Sequence, residues 1–247
     1  LMLAVVAAFC GSAHAQDYYG TLEPFAKRAV YFLMTDRFVN GDPRNDQREQ
    51  GGSDPALHTF DRPVPGAPAG ESANIGYMGG DFKGIENNAG YIKDLGFDAI
   101  WLTPIVDNPD EAFTGGDAVT WKGRFQDKGK TGYHGYWGSN FTRVDEHLPS
   151  QDLDFGLLTY ILANRGISTV LDIVANHGSP AFGMPVAQPK FGQIFDAKGT
   201  LIADHQNLPA ARLDPEHNPL HRFYNNKTEM VQLSDLNENN PAVMDYL

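Results

Sequence analysis

Leu171-Asp172-Ile173-Val174-Ala175-Asn176-His177 closes a run of β-branched and apolar residues that begins near Ser168. Apolar side chains on both parities of such a run predict a parallel strand buried on both faces. An aspartate inside it is costly to bury unless it is paired or hydrogen-bonded. Asn176 and His177 follow at the carboxyl end, where α/β barrels carry their chemistry. Taken alone, the stretch reads equally as a core strand with a satisfied Asp and a loop His, or as the rim of a site.

The elements upstream follow a regular order. Val30 to Leu33 suits a first strand, and Ala99-Ile100-Trp101-Leu102 a second, ended by Thr103-Pro104. Between them a helix is predicted, capped by Asp81, running through Ile85, Ala89, Ile92 and Leu95, and stopped at Gly96. A second helix fits Asp152 to Arg165, with Asp152 or Asp154 as cap, Leu158, Ile161 and Leu162 at helical spacing, and Gly166 as the stop. Long polar loops, 41–80 and 107–132, follow the strands. This order predicts an α/β barrel with function on one rim. From Gly178 to Ser234 prolines, glycines and asparagines return without periodicity, over a length too great for an ordinary connection. Glu238-Asn239-Asn240-Pro241 then opens a third helix, cut short at Leu247.

The second loop delivers Gly132-Tyr133-His134-Gly135-Tyr136-Trp137-Gly138. Its glycines permit close backbone approach, and its rings offer flat faces and a donor. Such faces suit a sugar, although filling a core edge is the commoner use of Tyr and Trp. Together with Asp172-x-Val174-x-Asn176-His177 and Leu233-Ser234-Asp235-Leu236-Asn237, in that order, the segment resembles the α-amylase family, glycoside hydrolase family 13, and the likeness covers nearly everything from Val30 onward. The resemblance implies a fold class of α/β, a partial TIM (β/α)8 barrel: its first three strands lie in 30–177, an inserted small domain (domain B) in 178–234, and the return to the barrel in 235–247. It also implies an enzyme that cleaves α-1,4-glucans with retention. Tyr136 would stack on the sugar, His134 and His177 would donate to its hydroxyls, Asp172 would orient the pocket and Trp137 would support the aromatic floor. The family's nucleophile, acid/base and third carboxylate follow later strands, so no residue here is assigned those roles and the isolated chain is expected to be inactive. A cyclodextrin-forming or other transglycosylase is one alternative. A non-catalytic starch-binding or calcium-binding surface protein is another.

Val39-Asn40-Gly41-Asp42-Pro43-Arg44-Asn45-Asp46 gathers four oxygen-bearing side chains in one turn, which reads either as a solvated turn or as a loop for a hard cation. By resemblance to cyclodextrin glycosyltransferases and related amylases it binds Ca²⁺ through Asn40, Asp42, Asn45, Asp46, the Gly79 carbonyl and Asp81. Asn40 stands where those relatives often have Asp. A second calcium is implied at Asn176 and Asp235, bridging barrel and inserted domain. His217 and His221 have the spacing of a zinc pair, but Pro219 between them and the lack of a following Glu argue against it.

The chain has 247 residues, with 19 Lys+Arg against 31 Asp+Glu and a formal charge of −12, which repels phosphate polymers. The partner that the resemblance implies is an α-glucan, and the charge argues against nucleic acid and, after signal cleavage, a membrane. Leu1 to Phe9 is apolar but too short to span a bilayer and runs into Ala13-His14-Ala15, so residues 1–15 read as the tail of a secretory signal peptide. Secretion or a periplasmic location follows. Cleavage there removes Cys10, the single cysteine, and leaves metal ions as the available cross-links.

Overall fold

The structure, a computed structural model, describes residues 24–68, 74–123, 126–227, 230 and 232–247. The signal-peptide reading of residues 1–15, with Cys10, lies outside them.

Strands β1 (Val30–Leu33), β2 (Ala99–Leu102) and β5 (Ser168–Leu171) form a parallel sheet in the order β1-β2-β5, with Phe32, Trp101 and Val170 in register. Helices α1 (Phe82–Asp94) and α2 (Phe155–Asn164) cover one face. Each starts where the sequence supplies a cap: Asp81 accepts from the Gly84 N–H at 2.6 Å, and Asp154 from Leu157 at 2.7 Å. Each is followed by a glycine at positive φ, Gly96 and Gly166. The core between the layers joins Leu33, Ile100 and Leu102 to Ile85, Ile92, Leu158 and Leu162.

The other face of the sheet is open. Phe32 is 53% exposed and Trp101 41%, and their rings meet edge to face. The expectation of a third strand buried on both faces is therefore corrected. β5 lies at the sheet edge, with no strand paired beyond it among the described residues, and Leu171 is exposed. The strand also ends at Leu171, so Asp172 stands just past its carboxyl end and not within it.

Six short strands were not visible in the sequence. β3 (Val106–Asp107) pairs antiparallel with β4 (Asn140–Val144) across an irregular register. Within the segment read as inserted, β6 (His177–Pro180) pairs with β9 (Leu233–Asp235), and β7 (Gln193–Phe195) with β8 (Leu201–Asp204). A second apolar cluster there includes Ile194, Ala203, Tyr224 and Leu236, together with Val243 of α3 (Pro241–Tyr246). A third, of Phe113, Trp137, Met184 and Phe191, packs the loop after β2 against this segment.

Candidate functional site

The aromatic segment crosses the carboxyl ends of β2 and β5. Gly135 has φ +82°, and a Cβ there would lie 2.0 Å from the Pro104 carbonyl oxygen, so only glycine permits this approach. Asn108 accepts from the Trp137 N–H at 2.9 Å, and its own N–H donates to buried Asp145 at 3.1 Å, which fixes the segment from beneath. Trp137 is buried, as a floor residue must be. Above it the Tyr136 hydroxyl donates to Asp172 Oδ2 at 2.8 Å. Burial and then the Asp172 carboxylate push the Tyr136 phenol up to about 12, so it remains a donor.

His134 stands edge-on to Trp137 with ring centroids 4.9 Å apart. Its Nδ1 accepts from the Tyr136 N–H at 3.0 Å, so the neutral ring carries its proton on Nε2. Burial above all, and then the charges of Lys130, Arg37 and His177, hold this imidazole down at about 3. His177 is buried at the start of β6, and burial lowers it as well. His134, Tyr136, Trp137 and His177 together line a cleft of about 540 Å³ whose other wall is Pro180, Met230, Gln232 and Leu233. Asp127 and Lys130, an ion pair at 2.7 Å, lie at its rim. The cleft thus combines flat apolar faces with two neutral imidazoles and a phenol, a set that can stack on and hydrogen-bond a polyhydroxylated ring.

The opposite wall was missed in the sequence because scattered Pro, Met, Gln and Leu residues carry no signal of their own. The β6–β9 pairing joins Pro180 to Leu233 there.

The oxygen-rich loop folds back on the Gly79–Asp81 segment. Asn40 Nδ2 donates to Asp46 Oδ1 at 2.6 Å, and Gly79, at φ +87°, lies against both. Asp81 is fully buried and accepts from Gly41 and Asp42 as well as capping α1. Asn40 Oδ1 and Asn45 Oδ1 are buried with no hydrogen-bond partner. Two orphaned buried oxygens beside buried Asp46 and Asp81 fit a hard cation. Asp42 is partly committed: it pairs with Arg44, which draws its carboxyl down to about 2. Asn176 and Asp235 are also brought close, since His177 pairs with Asp235 and the Leu236 N–H donates to the Asn176 carbonyl at 2.9 Å.

A further acidic group, Asp107, Asp145 and Glu146, places its oxygens within 4.8 Å of one another. Here Lys190 Nζ already sits 2.9 Å from Asp107 and 2.8 Å from Asp110. The His217–His221 pair holds no shared site: His217 turns to Asp214, and His221 to the Asp214 N–H and Gln206.

Residues 32–189 match the family model described as alpha amylase, catalytic domain. A cyclomaltodextrin glucanotransferase of Klebsiella oxytoca is 32% identical over 90% of this chain and 30% of its own length. An alpha-amylase of Niallia circulans is 29% identical over 90% of this chain and 38% of its own. Among solved structures, a cyclomaltodextrin glucanotransferase with a three-domain ABC distribution superposes with a TM-score of 0.64 at 30% identity, covering 89% of this chain and 40% of that one. An alpha-amylase from Malbranchea cinnamomea, at 21% identity and a TM-score of 0.52, shares the fold. The chain therefore spans only about a third of the length of these curated relatives.

Proposed function

Because this chain belongs to the alpha-amylase catalytic-domain family, a TIM-barrel family whose members act on α-glucans, we propose that it is the amino-terminal part of a secreted enzyme that cleaves α-1,4-glucosidic bonds. The observation that carries the reading is the convergence of His134, Tyr136, Trp137 and His177 on one cleft at the carboxyl ends of parallel strands. In this reading Tyr136 stacks on the sugar at the scissile bond. His134 and His177 donate to its hydroxyls, and those bonds strengthen as positive charge develops on the ring. Asp172 holds the phenol in place.

Reaction with retention needs two carboxyl groups close together, one to attack and one to protonate the leaving oxygen. We assign both to barrel strands beyond this chain. The share of its relatives that it covers and the open apolar face of its sheet support that assignment. The cation at Asn40, Asp42, Asn45, Asp46, Gly79 and Asp81 is proposed as Ca²⁺, with a second at Asn176 and Asp235. Each would cross-link loops.

A transfer reaction is the second reading, favoured because relatives over 90% of the chain are named cyclomaltodextrin glucanotransferase. Incubation of the full-length enzyme with soluble starch, with product separation and anomer analysis, tests both. Linear α-anomeric maltooligosaccharides are the expected result and cyclic products support transfer. β-Anomeric products, or intact starch, contradict the proposal. The isolated 247-residue chain should release no reducing ends.

A further inference from the structure

Arg37 touches both the cation loop's surroundings and the aromatic segment, and the proposed mechanism does not use it. It follows β1 in a single 3-10 turn, Thr35–Arg37. Its guanidinium carbon lies 3.7 Å from the centroid of the Tyr133 ring, a stacked cation–π contact. The same group donates to the carbonyls of Gly76 at 2.8 Å and Asn74 at 3.1 Å, and pairs with Asp36. Asp36, almost fully buried, accepts from the Met78 N–H at 2.9 Å and the Gly79 N–H at 3.1 Å. Gly79 is the residue whose carbonyl is proposed as a ligand of the cation. On the other side, Tyr133 meets His134 edge to face at 5.1 Å, and His134 lines the cleft.

The path from cation loop to cleft is thus short and made of strong, oriented contacts: Gly79, Asp36, Arg37, Tyr133, His134. A planar guanidinium is suited to this because it stacks and donates in one plane at the same time; a lysine ammonium cannot do both. We propose that Arg37 is a positioning residue that couples cation binding at the Asn40–Asp46 loop to glucan binding in the cleft. This rests on the proposed function of the cleft and extends it to regulation. When the loop closes on a cation, the Gly79 peptide and Asp36 are held, Arg37 keeps its plane over Tyr133, and His134 stays aligned toward the sugar. When the loop is empty, that register loosens.

Coupling between two sites is reciprocal: if calcium tightens glucan binding by some factor, glucan tightens calcium by the same factor. Maltoheptaose affinity is measured by calorimetry on the full-length enzyme, with saturating calcium and with chelator, and calcium affinity with and without maltoheptaose. The expected result is an equal enhancement of about fivefold or more in both directions for the wild type. Arg37→Lys and Tyr133→Leu should reduce both factors toward one, while each still binds calcium and glucan singly and keeps its near-ultraviolet circular dichroism. Tyr133→Leu removes the stack without touching Asp36, so the test survives if an Arg37 variant fails to fold. An undiminished factor in both variants, or a wild-type factor of one with both ligands bound, overturns the coupling and leaves the cleft assignment standing. A wild type that takes up no maltoheptaose under either condition overturns the cleft assignment and the coupling with it.

Discussion

Tyr136 does two jobs with one ring: its face is free for the cleft while its hydroxyl holds Asp172 at 2.8 Å. Loss of the face should lower kcat/KM of Tyr136→Ala by on the order of tenfold to a thousandfold, or ~1.4–4 kcal/mol. Tyr136→Phe keeps the face and loses only the bond to a carboxylate, so about tenfold or less is expected. Kinetics and circular dichroism melts on both variants check this; unchanged kinetics in a folded Ala variant contradicts substrate contact. His134 makes a pH argument. Held down at about 3, it is neutral in the folded protein but takes up a proton near 6.5 when unfolded. Between those values the unfolded state binds more protons, so the stability His134 contributes is present above pH 6.5 and is lost as pH falls toward 3. The stability difference between wild type and His134→Gln, from urea melts, should therefore shrink from pH 7 to pH 4, and a growing difference contradicts the neutral assignment. The residue types at this site were legible because rings, imidazoles and an aspartate in a fixed pattern carry chemistry. The Tyr136–Asp172 bond was not, since it joins two elements 36 residues apart.

Between elements, the loop after β2 and the segment read as inserted are sewn together by one strap. Gln188 accepts from the Thr114 N–H at 2.8 Å and donates to Ala112 and Glu111, while Lys190 bridges Asp107 and Asp110. Burial raises both aspartates to about 6 against the pull of Lys190. Lys190→Met removes the charge that offsets their burial, so at pH 7.5 the aspartates must either stay charged without a partner or take up protons, a cost of up to about 3 kcal/mol for a pair that is partly exposed. Protonation removes that charge, so the loss of melting temperature should be smaller at pH 5 than at pH 7.5. An equal loss at both values contradicts the clamp. The strap could not be read from the sequence, because a lone Lys and Gln in a proline-rich stretch look like any solvated loop. The helices could be read, because Asp81 and Asp154 sit one residue before them and Gly96 and Gly166 close behind. The short hairpins escaped because strands of two to five residues with irregular register show no alternation to count.

At the scale of the whole molecule, the parallel sheet presents Phe32 and Trp101 to solvent on the side opposite its helices. Apolar surface of this kind marks a face that is meant to be covered, and it fits a catalytic domain of which this chain is about a third of the relatives' length. The three parallel strands were legible as apolar runs; the exposure of β5 was not, because burial on both faces depends on neighbours that a run of residues cannot specify. A chain whose cross-links are proposed to be metal ions should also respond to them. Calcium at ~100 times its dissociation constant should add roughly 2.7 kcal/mol, several degrees in melting temperature. Gly79→Ala, whose Cβ would meet Asn40 Nδ2 at 2.3 Å, should abolish that gain. Identical melts with calcium and chelator contradict the cation loop. The central claim, that the cleft at the strand ends receives an α-glucan, is tested most directly by titrating maltoheptaose into the full-length enzyme and following the aromatic side-chain resonances by NMR. The account predicts that His134, Tyr136, Trp137 and His177 shift along one saturation curve. Saturable shifts confined to other residues, or no shifts at all, would contradict it.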